Sequence, residues 1–495
     1  MKKIARHNKK RSAAGVFNGL FGPSMRLGAA VMLIVLVFLL GGGSRADIQS
    51  LLVLRPLMVI LVGYAMMQVS LAELAVVKWQ LAMLGALAAW MVIQLIPLPP
   101  SLWQGLPGRQ IVVDIEAAAG MDPEWRPMTL SPSKTLNSLF SLLVPLAMLL
   151  LYAIQTEVDR RRLWLVFVGM IGFSGLLGLM QIAGPDGGPL YLYRITNDGS
   201  PVGLFANRNH QAVMLATVLP IVALLVVDST SKVRQIERRT LSIGVISAAA
   251  IGIIPLLLLT GSRAGLLAGA VGLLVVIAIF RFGSVNGARA GGSLQRSKFE
   301  RLFPVAIGVV LVLIAALAIY FDRAVALNRL FGDDPQDGLR LKILPTLYEM
   351  IKHYSPVGAG FGAFPHVYKA FEPYELLSPA YLNQAHNDWA QFVIEGGVPA
   401  LLVLAAFFGW LVYHARSIVS RLRSGHAAPL QALAALSIIA ILGGASLADY
   451  PLRVPSVMAL MTFACAVLAN QSASLSSTRP RKESDANRPP QRPAR

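Results

Sequence analysis

The chain has 495 residues and a formal net charge of +19, yet only 14% of its residues are charged while 55% are hydrophobic. Soluble domains run near a quarter charged, so a soluble globular protein is excluded; a disordered chain is excluded too, because apolar content this high cannot stay solvated. The single cysteine, Cys465, sits inside an apolar run, which rules out disulfide frameworks and cysteine metal clusters.

A helix needs about 20 mostly apolar residues to cross a bilayer core. Twelve runs meet that test, near residues 26–43, 50–68, 79–98, 136–155, 163–182, 209–227, 241–260, 264–281, 302–320, 388–412, 429–447 and 454–470. The expected fold is an all-α polytopic membrane protein of about 12 transmembrane helices. Two connections are long, 99–135 and 321–387, and the second forms a large loop between spans 9 and 10. Chemistry that is not inside the bundle belongs in those two loops.

Orientation follows from Lys and Arg, which stay on the cytoplasmic side. An even span count puts both termini on one side, and both are basic: Lys2, Lys3, Arg6, Lys9, Lys10, Arg11 and Arg26 at the start, Arg479, Arg481, Lys482, Arg488, Arg492 and Arg495 at the end. Lys78, the run Arg160 to Arg162 and the basic links at 228–240, 281–301 and 413–428 fall on the same side. Both termini are thus expected in the cytoplasm, with both long loops facing outward. The charge reads as topogenic and lipid-facing rather than as a nucleic-acid footprint, despite a pI of 10.3. The basic residues, the apolar run Leu27 to Leu40 and then Ser44-Arg45-Ala46 also resemble a signal peptide with its cleavage site; an uncleaved first span is the favoured reading.

The expected organisation is a basic cytoplasmic N-terminus over 1–25, membrane helices over 26–200 with the loop 99–135, a core over 201–412 that includes the loop 321–387, two final membrane helices over 413–470, and a disordered basic tail over 471–495. That tail is rich in Ser, Pro, Arg and Lys.

Four constellations could carry chemistry. Gly203-Leu204-Phe205-Ala206-Asn207-Arg208-Asn209-His210 lies at the outer start of the sixth span. Its polar residues either line a hydrophilic cavity and bind sugar hydroxyls, or cap a helix and meet lipid phosphate. Thr260-Gly261-Ser262-Arg263-Ala264-Gly265 joins two apolar runs so closely that they form a tight outward hairpin. Arg263 is then either a snorkelling turn arginine or a clamp for an anionic group, since the guanidinium fork suits phosphate oxygens.

In the large outer loop, Asp333, Asp334 and Asp337 precede Arg340, and Leu341 to Tyr354 has helical apolar spacing. The aspartates lack the ligand pattern of a cation site and read as solvated loop acids, while Arg340 opening an amphipathic helix is a second candidate phosphate clamp. Gly358-Ala359-Gly360-Phe361-Gly362 has no buried strand before it, so it reads as a turn that packs closely on the membrane and not as a dinucleotide loop. Last comes Gln384-Ala385-His386-Asn387-Asp388-Trp389-Ala390-Gln391, followed by Glu395-Gly396-Gly397-Val398-Pro399. Asp388, Gln391 and Glu395 share one helical face, which must point at the bundle or at water. His386 at that helix's outer end is either a candidate general base or a satisfied loop histidine beside a capping Asn/Asp pair. Arg55, near the outer end of the second span, reads as a snorkelling side chain.

Phe205-Ala206-Asn207-Arg208-Asn209, Thr260 to Gly265, Gly338-Leu339-Arg340 with Pro356-Val357-Gly358-Ala359-Gly360, and Ala385-His386-Asn387-Asp388 with Glu395 to Pro399 resemble, in content, order and placement, the O-antigen ligase and O-antigen polymerase superfamily of bacterial polytopic membrane glycosyltransferases. The resemblance makes 201–412 a catalytic core. It implies transfer of a glycan from undecaprenyl diphosphate to an acceptor hydroxyl, on lipid A-core or a growing polysaccharide, at the periplasmic face of the inner membrane. By matching positions, Arg263 and Arg340 bind the diphosphate and His386 activates the acceptor; Asn207, Arg208, Asn209, Asn387 and Asp388 are then the candidate substrate-binding residues. The family looks metal-independent, so neither cofactor nor metal is implied, and the partners are the lipid-linked donor, the acceptor and membrane lipids, with no nucleic acid. Arg208 between the two asparagines and the long loop 99–135 depart from the family pattern. A protein O-oligosaccharyltransferase and a non-catalytic polysaccharide or lipid exporter are the alternatives.

Overall fold

The computed structural model describes residues 22–45, 47–231, 252–289, 340–377, 382–424, 426 and 429–477. In chain order its helices are α1 (Pro23–Leu40), α2 (Leu51–Met66), α3 (Lys78–Leu95), α4 (Gln110–Ala118), α5 (Pro132–Ser141), α6 (Leu143–Ala153), α7 (Glu157–Ala183), α8 (Arg208–Ser231), α9 (Arg263–Arg289), α10 (Leu344–Tyr354), α11 (Asp388–Arg423), α12 (Leu430–Ala445) and α13 (Pro455–Ser477). Among the described residues the strands are β1 (Pro97–Leu98) and β2 (Arg126–Pro127), which pair antiparallel at the base of the first long loop.

Seven helical stretches are long and apolar enough to cross a membrane: Pro23–Leu40, Leu71–Leu95, Pro132–Ala153, Glu157–Ala183, Arg208–Val227, Arg263–Phe282 and Asp388–Arg423. Leu51–Met66, Leu430–Ala445 and Pro455–Asn470 are apolar but shorter. Each coincides with an expected span. The expected span at 241–260 is described only from 252, with 252–259 helical; the one at 302–320, the aspartates Asp333, Asp334 and Asp337, and the tail beyond 477 lie outside the described residues.

Hydrogen bonds between helix termini sort the bundle into two ends. At one end Arg26 donates to Gln68 over 2.9 Å, Gln155 donates to the Arg26 carbonyl over 3.0 Å, and Asn470 donates to Glu157 over 3.2 Å. At the other, Ser456 donates to the Gly41 carbonyl over 3.1 Å, Gln94 to the Glu395 carbonyl over 3.0 Å, and the Asp388 amide to the Ser446 carbonyl over 2.9 Å. The apolar spans from Pro23–Leu40 to Arg208–Val227 therefore run alternately between the ends, as spans of a polytopic protein must. Helix α7 starts at the first end with its donors satisfied locally, the Thr156 hydroxyl accepting from the Asp159 amide and two acids sitting in its first turn, where the helix dipole favours negative charge.

Helix α8 is the centre of the bundle, with 94% of its span buried against 44% or less for the other six long ones. It packs on α7, α9 and α12. Helix α1 is part of the same core: Leu33, Ile34, Val37 and Phe38 are fully buried, and the Gly42 amide donates to the Tyr193 hydroxyl over 2.7 Å. Leu52, Ile60, Leu267, Leu274 and Leu402 point outward and stay exposed, the arrangement that a lipid solvent permits and water does not.

At the second end the two long loops dock on each other. Arg109 is buried and donates to the Gly358 carbonyl over 2.9 Å as well as to the carbonyls of Pro107 and Met128; burial lowers it to about 10, with the compensating carbonyls preserving its hydrogen bonds. The Leu130 amide donates to the Ala359 carbonyl over 2.9 Å, and the Thr135 hydroxyl to the Phe361 carbonyl over 2.8 Å. Gly358, Gly360 and Gly362 all have positive φ, and a Cβ on Gly360 would collide with Thr129, one on Gly358 with the Glu395 carbonyl. The glycines thus permit close approach, as expected, but the surface approached is protein, the loop 99–135 and α11, where the sequence suggested the membrane. Arg55 likewise does not snorkel; it donates to Asn137 of α5.

Candidate functional site

The link between α12 and α13 is the short turn Ser446-Leu447-Ala448-Asp449-Tyr450-Pro451-Leu452-Arg453 at the second end of the bundle. Asp449 is buried there, at 2% exposure. Four side chains from three other parts of the chain surround its carboxylate. Asn209 donates to Oδ2 over 2.8 Å; Arg340 Nη2 lies 3.9 Å from the same oxygen; His386 Nδ1 lies 3.3 Å from Oδ1 and His210 Nε2 4.0 Å from it. The Tyr450 amide also donates to Oδ1, over 3.0 Å. The Tyr450 ring meets both imidazoles edge to face, 4.9 Å from His386 and 5.2 Å from His210, and its hydroxyl is hydrogen bonded with Asn207.

Burial alone would raise the Asp449 carboxyl, but the His386 contact and the charges of His210, His386 and Arg340 outweigh it and hold the group well below the usual carboxylate range. Asp449 is therefore ionised, and an ionised carboxylate only accepts. The His386 nitrogen facing it is Nδ1, so Nε2 is the nitrogen turned away from the carboxylate. The side chains of Asp449 and His210 are closed off, at 3% and 2%, while those of Arg340 and His386 each keep 17%. The carboxylate is the floor of the cluster; the arginine and the histidine form its rim. Among the described residues neither ring nitrogen of His210 nor His386 Nδ1 has a partner that meets hydrogen-bond geometry.

The local folding explains the aim of His386. It takes the left-handed backbone conformation, φ +50°, uncommon outside glycine, between two fixed neighbours. The Ala385 amide donates to the Gln391 side chain over 2.8 Å, and Asn387 caps α11, its side chain accepting from the Ala390 amide over 3.0 Å. Asp388, the first residue of the helix, and Glu395, about two turns further on, are both bound by Arg453, over 3.2 Å each. Gln391 lies between them and donates to Glu395 over 2.9 Å. The expected polar stripe thus faces the bundle. Asn387 and Asp388, expected among the substrate-binding residues, direct their side chains to the protein itself.

The other expected residues divide in two. Asn207 and Asn209 join the cluster through Tyr450 and Asp449, with Asn207 also capping the start of α8 by accepting from the Asn209 amide over 2.8 Å. Arg208, half-buried, has its amide on the Asn197 side chain at 3.0 Å. Arg263 heads α9 as an exposed side chain, after a turn in which Ser262 accepts from the Gly265 amide over 3.0 Å. Gly265 packs so tightly on Ala212 of α8 that a Cβ there would collide with it. Arg263 thus stands level with the Asn209–His210 turn, at the same end as the cluster. Arg340, the first described residue after 289, opens the approach to α10, and the apolar face of α10 is buried through Leu347, Met350 and Tyr354.

Asp449, Tyr450 and Arg453 carry no sequence motif, and His210 stands in the sequence only as one member of a polar group. Asp449 and Arg453 lie beyond the expected core at 201–412. Among the described residues no set of His, Cys, Asp and Glu side chains has the arrangement of a metal site. Residues 248–405 match the family described as O-antigen ligase. That match contains Arg263, Arg340 and His386, but neither the Asn207–His210 turn nor Asp449. No curated protein matches the chain.

Proposed function

We propose that the chain, whose residues 248–405 match the O-antigen ligase family, transfers an oligo- or polysaccharide from undecaprenyl diphosphate to an acceptor hydroxyl, in lipid A-core ligation or cell-surface polysaccharide polymerisation. The coarser statement, a multi-pass membrane protein of glycosyltransferase type, rests on that family and on the apolar helices. The proposal places the reaction at the periplasmic face of the inner membrane, with both termini cytoplasmic and twelve spans in all. The observation that carries it is the meeting of His386, Arg340 and Asn209 on the ionised Asp449.

The acceptor hydroxyl gives its proton to His386 Nε2 while its oxygen attacks the anomeric carbon. The bond from that carbon to the diphosphate oxygen breaks, and the diphosphate leaves with one more negative charge. Asp449 keeps its place on Nδ1 and stabilises the imidazolium that forms. Arg263 and Arg340 hold the leaving diphosphate, as guanidinium forks fit phosphate oxygens, so no metal is needed for that charge. Asn207, Arg208 and Asn209 offer donors and acceptors to sugar hydroxyls, with Asn387 and Asp388 bordering the same space. One displacement inverts the anomeric configuration. The lipid tail of the donor reaches the site between helices, which accounts for a site at a membrane surface.

Mass analysis of envelope glycans from a strain lacking the protein tests this reading. Chains missing from the lipid core point to ligation, and chains not elongated at all point to polymerisation. Chains missing only from proteins, or an unchanged envelope, would overturn it. A second expected outcome concerns the clamp: Arg263→Lys lowers turnover by about 10²-fold in reconstituted membranes, because a point charge cannot replace a two-pronged donor aimed at the transition-state charge. A wild-type initial rate would remove Arg263 from the diphosphate site.

A further inference from the structure

The base and its carboxylate partner sit on different segments. His386 precedes α11, and Asp449 is in the turn after α12. Several contacts join these segments, Trp389 Nε1 donating to the Gly443 carbonyl over 3.0 Å among them, and one side chain reaches two carboxylates at once. Arg453, four residues after Asp449, donates from Nε to Asp388 Oδ1 and from Nη2 to Glu395 Oε2, each over 3.2 Å. Asp388 is two residues after His386. Its second oxygen accepts from the Leu452 amide over 3.1 Å, and its own amide donates to the Ser446 carbonyl over 2.9 Å. The turn that carries Asp449 is thus pinned to the start of α11 on both sides of Asp449, at Ser446 and at Leu452–Arg453.

The far end of the brace is equally well held. Glu395 Oε1 accepts from Gln391 over 2.9 Å and from the Phe364 amide over 3.4 Å, while Gln391 Oε1 takes the Ala385 amide, next to His386. Two residues on, α11 is interrupted at Gly397, whose φ of +62° and ψ of −149° are not helical, and the Val398 amide turns to the Pro356 carbonyl over 2.8 Å. The short upper piece of α11 would therefore be able to shift against the long lower one if nothing held it. Two carboxylates facing one guanidinium, with 0% and 7% side-chain exposure against 21% for the arginine, supply that hold, since charge-assisted forked bonds are both stronger and more directional than neutral ones.

We infer that Arg453 is the positioning residue of this site: by gripping Asp388 and Glu395 together it sets the distance between His386 and Asp449, and so decides whether the imidazole presents its basic nitrogen to the acceptor. The inference rests on the reading of His386 as base and Asp449 as its partner. Arg453 touches no reacting atom; it acts through the two segments that do.

The test uses the full chain in reconstituted membranes with a lipid-linked glycan donor. Arg453→Lys keeps the charge but cannot span both carboxylates. It is expected to lower kcat by about 10²-fold, the cost of misplacing a reacting group by about 1 Å, and to change the donor KM by less than about threefold. With Asp449→Asn already present, Arg453→Lys should cost less than about threefold more, because the distance it guards has lost its purpose. Equal losses in both backgrounds, or an unchanged kcat, would overturn the inference. If Arg453→Lys does not fold, the uncharged triple variant Asp388→Asn, Glu395→Gln, Arg453→Gln replaces it, and a wild-type kcat there has the same meaning. His386→Ala run in parallel separates the two claims: full activity in His386→Ala sinks the catalytic reading, whereas an inactive His386→Ala beside a fully active Arg453→Lys sinks only the positioning role.

Discussion

His386→Ala is expected to lose about 10²- to 10⁴-fold in turnover, the range that a placed general base contributes, with donor binding nearly intact. Removing the imidazole leaves the acceptor hydroxyl protonated at the moment of attack, while the diphosphate contacts assigned to Arg263 and Arg340 are untouched. The loss should therefore fall on kcat and leave the donor KM close to wild type. The fold should survive, because the backbone here is held by Gln391, Asn387 and Asp388, and the imidazole itself keeps 17% exposure. Single-turnover transfer from a purified lipid-linked donor measures the effect directly. A mutant that still transfers glycan at the wild-type rate would mean that the cluster serves something other than proton removal, and an exporter, which needs no base, would become the better account.

The fold was legible because a membrane leaves a chain so few options. Long apolar runs read as spans, and Asp388, Gln391 and Glu395, three and four residues apart, gave the face that must avoid lipid. Periodicity fixes a direction, not a partner. The cation that meets the stripe, Arg453, is 58 residues from Glu395 and 65 from Asp388, so no local pattern could have named it. Asn387 beside His386 was read both as a cap and as a substrate contact, and the cap is what the Ala390 amide at 3.0 Å displays. Asp449 was least legible. It lies in a short link between the last two apolar runs, where an isolated acid reads as solvated, and its burial is a tertiary event: Asn209, which donates to it, is 240 residues earlier. The only local sign was an acid, an aromatic and an arginine packed into so short a link, where turn residues alone would have sufficed.

Asp449→Asn tests that unanticipated residue, and turnover should again fall by about 10²- to 10⁴-fold although the shape is almost conserved. The carboxylate is ringed by donors: Asn209, the Tyr450 amide, His386 Nδ1 and the Arg340 guanidinium. An amide has one acceptor oxygen and two N–H donors, so one side of it must point hydrogens at groups that have only hydrogens to give. The arrangement that relieves the conflict at His386 reverses its tautomer: the new amide donates to Nδ1, and the proton moves to Nε2, the nitrogen meant to accept. A base holding a proton in that position cannot act, as with the analogous substitution in serine proteases, where the geometry survives and turnover falls about 10⁴-fold. The sign of the pH effect follows from the depressed carboxyl. A group held below its ordinary value of about 3.9 contributes stability that is present above that pH and is lost as pH falls through the depressed value. The wild type should therefore exceed Asp449→Asn in stability most clearly near neutral pH, the gap closing only in strong acid, while the deficit in kcat persists across the range in which Asp449 stays ionised. Thermal unfolding and kcat measured side by side from about pH 4 to 8 would show both, and an Asn variant with full turnover at neutral pH would dismiss Asp449 as the partner of the base.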